Sequence, residues 1–161
     1  MSLWEKEAIE AEKSGHLVTL LRTGIVLSNN GGAFPKMFLP VRLFLGGKLG
    51  SGNQILSWIH INDYVNAVRF LIEKGISGPV NLTSEKPVNQ LKFVETLGKL
   101  SKRPVFFKIP GFFLTILFSE GADVLLKGQN VFPEKLIKKG FRFKYDNLEY
   151  SIRDLLKKIS S

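Results

Sequence analysis

Arg22 stands where a bare charge is expensive, inside the apolar run from Leu17 to Leu27. A guanidinium there needs an anion or a set of acceptors. One reading is a contact from Arg22 and Thr23 to a phosphate, ribose or carboxamide, with Gly24 letting backbone approach the ligand closely. The other is a structural salt bridge. A second group lies in Gln54-Ile-Leu-Ser-Trp-Ile-His-Ile-Asn-Asp63. Trp58 and His60 share parity and so one side of a strand. With Gln54 they suit the lining of a small-molecule pocket. Equally, Trp58 suits a core and His60 a bond to a backbone carbonyl. A third place is the pair of Gly/Asn/Ser loops at 28–36 and 51–54, either ligand-binding or plain connections.

Motifs for self-sufficient chemistry are missing. Gly50-Ser51-Gly52 continues as Asn-Gln-Ile and lacks the third glycine of a dinucleotide loop. There is no Walker loop, no H-E-x-x-H and no G-x-S-x-G. With two histidines in all, His16 and His60, the chain is poorly equipped for a His-rich metal site. The absence of cysteine excludes disulfides, thiolate metal sites and thiol catalysis, and it fits a reducing cytoplasm, the expected location.

The elements that must position these residues alternate. A helix is expected over Trp4–Lys13, closed by Gly15, then a strand over Leu17–Leu27. A short helix near 34–44 and a flexible glycine stretch, 46–52, follow. Ile55–Ile61 reads as a strand, with Asp63 as N-cap of a helix burying Tyr64, Ala67, Val68, Leu71 and Ile72. Gly78–Thr83 is a third strand, and Asn89 opens a helix burying Phe93, Val94, Leu97 and Leu100. Beyond these, Val105–Ile109 reads as a short strand and Phe112–Lys127 as a helix. Pro133 opens a short helix ending at Gly140, and Asn147 caps the last one. The pattern implies an α/β arrangement with a boundary near residue 88, alternating strand and helix before it and mostly helix after it.

Length and composition set the limits. The 161 residues, 44% hydrophobic, suit one domain or one domain with an annex. The longest dense apolar run, Phe112–Phe118, is far short of a membrane span. Net charge is +9 (23 − 14), and residues 127–161 alone carry +5 (9 − 4). That tail reads as a solvated helical surface or as a surface for anions.

Taken in order, the segments Trp4-Glu5, Leu21-Arg22-Thr23-Gly24-Ile25-Val26-Leu27, Gly31-Gly32, Gly46-Gly47, Gly50-Ser51-Gly52, Trp58-Ile59-His60-Ile61-x-Asp63, Gly78-Pro79-Val80-Asn81, Gly128-Gln129-x-Val131-x-Pro133 and Gly140-Phe141-x-Phe143 resemble one family. It is the epimerase-like branch of the extended short-chain dehydrogenase/reductase superfamily, C-terminal half, often labelled nucleoside-diphosphate-sugar epimerase or cell-division inhibitor. The resemblance runs from Trp4 onward. It implies that residues 1–88 are the C-terminal strands of a Rossmann-like parallel sheet and 89–161 a small, mostly helical substrate-binding lobe, with NAD or NADP as cofactor and Arg22, Thr23 and Gly24 toward the nicotinamide end. Gln54, Trp58 and His60 would border a small-molecule substrate, a nucleotide-sugar among the candidates. It also implies a leading half of the same protein as partner, with a homo-oligomer left open. Two departures stand out. Tyr64, Tyr145 and Tyr150 all lack a lysine four residues on, so the family's Tyr-x-x-x-Lys proton-transfer pair is not in this sequence. The place where many nucleotide-sugar epimerases carry a diphosphate-binding arginine holds Leu56 or Ser57.

The expectation is therefore a piece of an NAD(P)-dependent epimerase or oxidoreductase, inactive alone, binding the dinucleotide weakly by itself and assigning no catalytic residue. Two rivals remain: a non-catalytic interaction module docking through Phe112–Phe118, and an anionic-surface binder using the basic tail. Nucleic acid is not the favoured partner.

Overall fold

The computed structural model describes residues 13–109, 128–157 and 159. The helices expected over Trp4–Lys13 (Lys13 apart) and Phe112–Lys127, with the Phe112–Phe118 run, lie outside them. The fold is mixed α/β with parallel strand pairs.

The apolar run expected as one strand is two, β1 (Thr19–Thr23) and β2 (Ile25–Ser28), divided at Gly24. β1 pairs in parallel with β7 (Gly78–Leu82), whereas β2 pairs in parallel with β6 (Trp58–His60). Gly24 is the changeover: its N–H donates to Leu82 O at 3.1 Å, and the next N–H, of Ile25, donates to Ser57 O at 2.8 Å. A Cβ on Gly24 would overlap the Ser57 carbonyl oxygen and lie 2.8 Å from Thr83 Cγ2. The glycine is thus required by the chain's own backbone.

After β3 (Gly31–Gly32), α1 (Ala33–Arg42) buries Phe34, Met37 and Val41. The glycine stretch expected to be flexible is a strand, β4 (Gly46–Leu49), in parallel with β9 (Val105–Ile109). Its glycines are there for proximity, since a Cβ on Gly47 would collide with the Phe107 backbone. The strand expected over 55–61 is β5 (Ile55–Leu56) and β6. β5 pairs with β8 (Val88–Asn89), and α2 (Ile61–Glu73) begins directly after β6. The N-cap of α2 is His60, not Asp63 as expected: His60 Nδ1 accepts from the Asn62 N–H at 3.1 Å. Asn89 caps α3 (Gln90–Ser101) by accepting from the Lys92 N–H at 2.7 Å, as its residue type foretold. α4 (Glu134–Lys138) follows Pro133. Asn147 accepts from the Tyr150 N–H at the start of α5 (Leu148–Lys157).

Two apolar clusters result. One joins Leu27, Phe34, Leu56 and Trp58 to Phe93 and Leu97 of α3 and to Ile152 and Leu155 of α5. The other joins Ile59, Ala67, Leu71, Val80, Leu82 and Leu136. The division placed at residue 88 marks no gap in this packing, because the first cluster and the β4–β9 pair both cross it.

Candidate functional site

In open α/β sheets a ligand crevice forms beyond the carboxyl ends of parallel strands, where neighbouring connections diverge. The divergence at Gly24 makes such a place. A cleft of about 520 Å³ opens there, within the size range of small-molecule sites. Arg22, Thr23 and Gly24 all line it, as do Asn81 and Thr83 from the end of β7. The in-register pairing of Arg22 with Asn81 and of Thr23 with Leu82 brings the two strand ends together. Arg22 is the one charged residue among the described lining, so the electrostatics favour an anion or a polar oxygen-rich group.

Arg22 and Thr23 are exposed. The expectation that the guanidinium must offset a burial cost is corrected: β1 is only half-buried from Thr19 to Leu21, Arg22 and Thr23 are exposed, and full burial in the run comes at Leu27. The wall opposite comes from a segment whose part in the cleft periodicity could not disclose, 129–132. Ser57 ties it down. Its hydroxyl accepts from the Val131 N–H at 2.8 Å and donates to Gln129 O at 2.6 Å. Thr83 Oγ1 donates to Val131 O at 3.2 Å, and Asn81 Nδ2 donates to Phe132 O at 3.0 Å. The Gln129 N–H donates to Ile55 O at 2.9 Å. Gly128, at φ +66°, sits so close to Ile55 N that a Cβ would come within 2.6 Å. The available signal was the Gly128-Gln129-x-Val131-x-Pro133 motif, which carried resemblance but no stated role.

Gln54, Trp58 and His60 are not among the residues lining this cleft. Gln54 Nε2 donates to Leu49 O at 3.0 Å. Trp58 is fully buried and donates from Nε1 to Lys86 O at 3.0 Å. His60 is fully buried as well, with its ring stacked on Tyr145 at 3.7 Å and Nε2 at 3.3 Å from Asp154 Oδ2. Neither Trp58 nor His60 offers accessible surface here, and both hold elements together. Asp63 joins the same scaffold. Its carboxylate accepts from the Lys144 and Tyr145 N–H groups at 3.1 and 2.7 Å, fixing the loop before α5 against α2. Burial pushes its pKa above the usual carboxylate value, although those two N–H groups pull the other way. The arginine position of nucleotide-sugar epimerases supplies no cation here, since Leu56 is core and Ser57 is the tie to 129–131.

Three kinds of comparison bear on the chain as a whole. The family model described as "Domain of unknown function (DUF1731)" matches residues 109–155. Epimerase family protein YfhF of Bacillus subtilis (strain 168) is 39% identical over 155 residues, 96% of this chain and 51% of that protein. An epimerase family protein of Staphylococcus aureus (strain MRSA252) is 42% identical over 156 residues, 96% of this chain and 52% of that protein. The chain thus spans about half the length of the curated relatives it matches. Among solved structures, human epimerase family protein SDR39U1 (isoform 2) with NADPH superposes with TM-score 0.79 at 30% identity. The match covers 86% of this chain and 48% of that one. UDP-glucose 4-epimerase of Thermus thermophilus in complex with NAD shares the fold at TM-score 0.73 and 15% identity, over 98% of this chain and 51% of that one. In sequence and in fold, this chain is similar over most of its own length to about half of each of these proteins, and those from Bacillus subtilis, Staphylococcus aureus and human are named epimerase family proteins.

Proposed function

We propose that the chain contributes the trailing wall of an NAD(P)-dependent epimerase or oxidoreductase, working with a leading half that carries the glycine-rich phosphate loop and the proton-transfer pair. The observation that carries this reading is the convergence of Arg22, Thr23, Asn81 and Thr83 on one cleft at the ends of parallel strands. The donor set fits one end of a dinucleotide: a cation for a phosphate or ribose oxygen, and hydroxyl and amide groups for ribose or carboxamide. A bound dinucleotide would supply hydride transfer. The residues of this chain would orient it and narrow the water-filled space, with Arg22 and Thr23 on one side and the 129–132 segment on the other.

The test is a chimera in which this chain replaces the matching half of the Bacillus subtilis relative. Titration with NADH and NADPH gives the affinity. Arg22→Ala is expected to weaken it by about 10- to 100-fold, the value of one charge-assisted hydrogen bond. An unchanged affinity, in a chimera that binds the dinucleotide, would remove Arg22 from the cofactor site. The substrate is a small molecule, and a nucleotide-sugar is the class to test first against the same chimera.

A further inference from the structure

β1 has one partner where its residues suit two. Among the described strands it pairs with β7 alone. In an extended strand the N–H and C=O of one residue point to the same edge, and those of the next residue to the other. The Gly78 N–H donates to Val18 O at 2.7 Å and the Gly24 N–H to Leu82 O at 3.1 Å. The even-numbered residues between them, Leu20 and Arg22, thus turn their backbone groups toward β7. The N–H and C=O of Thr19, Leu21 and Thr23 lie along the other edge, where no described strand reaches them. That edge lacks the usual guards against pairing: β1 has no proline, and its register with β7 runs from Thr19 to Thr23 without a bulge. Leu20 and Leu21 make both faces of the strand apolar, yet both are only half-buried. Parallel strands of that kind lie inside a sheet, covered on both sides. Beside the edge, Leu21 of β1 and Tyr64, Val65, Val68 and Ile72 of α2 line one open groove of about 520 Å³. Val65 and Ile72 are 55% and 75% exposed. The charged residues of its lining, Arg69 and Glu73, pair with each other at 2.7 Å.

We propose that this edge and groove receive the leading half itself: a parallel strand of that half adds to β1 through Thr19, Leu21 and Thr23, and an apolar element of it covers the groove. The inference rests on the reading of the chain as one half of a two-part enzyme, and adds where the halves meet. The curated relatives carry about as much chain again as the part matched here, and that part must meet this one somewhere. Strand addition supplies affinity through backbone hydrogen bonds. The groove supplies apolar contact and no net charge, which suits a protein core and not a lipid headgroup or a nucleic acid. Arg22 and Thr23 end β1 in the cleft. A parallel neighbour ends at the same carboxyl edge, so the leading half's own residues reach the cleft there.

The test is amide hydrogen exchange, followed by NMR, on the 161-residue chain and on the chimera with the Bacillus subtilis half. In the chain alone, exchange along β1 should alternate: slow at Leu20 and Arg22, and about 100-fold faster at Leu21 and Thr23. In the chimera Leu21 and Thr23 should become as slow as Leu20. Ile72→Gln should leave the urea midpoint of the chain alone unchanged and lower that of the chimera. Alternation that persists in the chimera would overturn the proposal, as would a chimera in which Leu20 itself is unprotected. So would a chain alone without alternation, protection of Leu21 that grows with the chain's own concentration, or an equal loss from Ile72→Gln in both proteins. Neither readout involves a dinucleotide. Protection of Leu21 in a chimera whose dinucleotide affinity ignores Arg22→Ala would keep the docking and remove Arg22 from the cofactor site, and persistent alternation in a chimera weakened by Arg22→Ala would do the reverse.

Discussion

Replacing Gly24 by alanine tests the changeover on which the cleft depends. The added Cβ meets a carbonyl, not a movable side chain. It overlaps Ser57 O and lies 3.2 Å from Ser57 C and 2.8 Å from Thr83 Cγ2. No rotamer relieves this, so β2 must withdraw from β6. That motion lengthens the Ile25–Ser57 bond of 2.8 Å and the Gly24–Leu82 bond of 3.1 Å together. Overpacking costs about 1–3 kcal/mol, and weakening two backbone bonds adds about 0.5–1 kcal/mol each. The expected loss is therefore about 2–5 kcal/mol, a large share of a domain's stability. For a chain of this length it lowers Tm by about 5–15 °C. Urea unfolding followed by circular dichroism measures it, with exposed Thr23→Ala as a control expected to stay within about 0.5 kcal/mol. Thr83→Ser removes Cγ2 and keeps the hydroxyl that donates to Val131 O. Added to Gly24→Ala, it should restore part of the loss. A Gly24→Ala protein as stable as the parent would refute the argument that the strand ends are held this tightly.

Ser57→Ala leaves Val131 N–H without its acceptor and Gln129 O without its donor, so unfolding should show a loss of about 1–3 kcal/mol. Exchange of the Val131 amide with solvent, followed by NMR, should accelerate more than exchange in α5. Asp63→Ala, which abandons the Lys144 and Tyr145 N–H groups, should cost about 2–4 kcal/mol by the same denaturant assay. The pH dependence has a definite sign. Because the folded pKa of Asp63 is raised, the folded state holds its proton where the unfolded state has lost it. Its contribution to stability is complete below the unfolded pKa of about 4 and falls as pH rises toward the folded value, then levels. Asp63→Asn should abolish that falling segment in unfolding measured from acid to neutral pH.

Local signals were legible wherever one side chain decides a backbone conformation. Asn89 and Asn147 have side-chain oxygens that reach helix N–H groups, and both cap as their types and positions indicated. The buried face of α5 was legible because Leu148, Ile152 and Leu155 recur at helical spacing. The β4–β9 pair was not. Gly46-Gly47-Lys48-Leu49 looks like a loop, because its strand character comes from Phe107 backbone more than fifty residues away. The strap over 129–132 was hidden for the same reason, since its partners Ser57, Asn81 and Thr83 are all distant in sequence.

The segment from Ile55 to His60 shows why residue type alone picks the wrong side of a strand. Trp58 and His60 carry rings and nitrogens, and so attract a functional reading. The pleat turns Leu56 and Trp58 into one cluster, with His60 buried on the same parity, while Ile55 and Ser57 reach the cleft. Ile59 continues the second parity into the other cluster. One face is therefore given to fixing α2, α3 and α5, and the other to shaping the space beside Arg22. A serine is enough there, because the position must accept from one backbone N–H and donate to one carbonyl without filling the cleft. An arginine at the same place would have to give up that tie. The wall of 129–132 thus depends on a small hydroxyl at residue 57, and a larger side chain there would displace it.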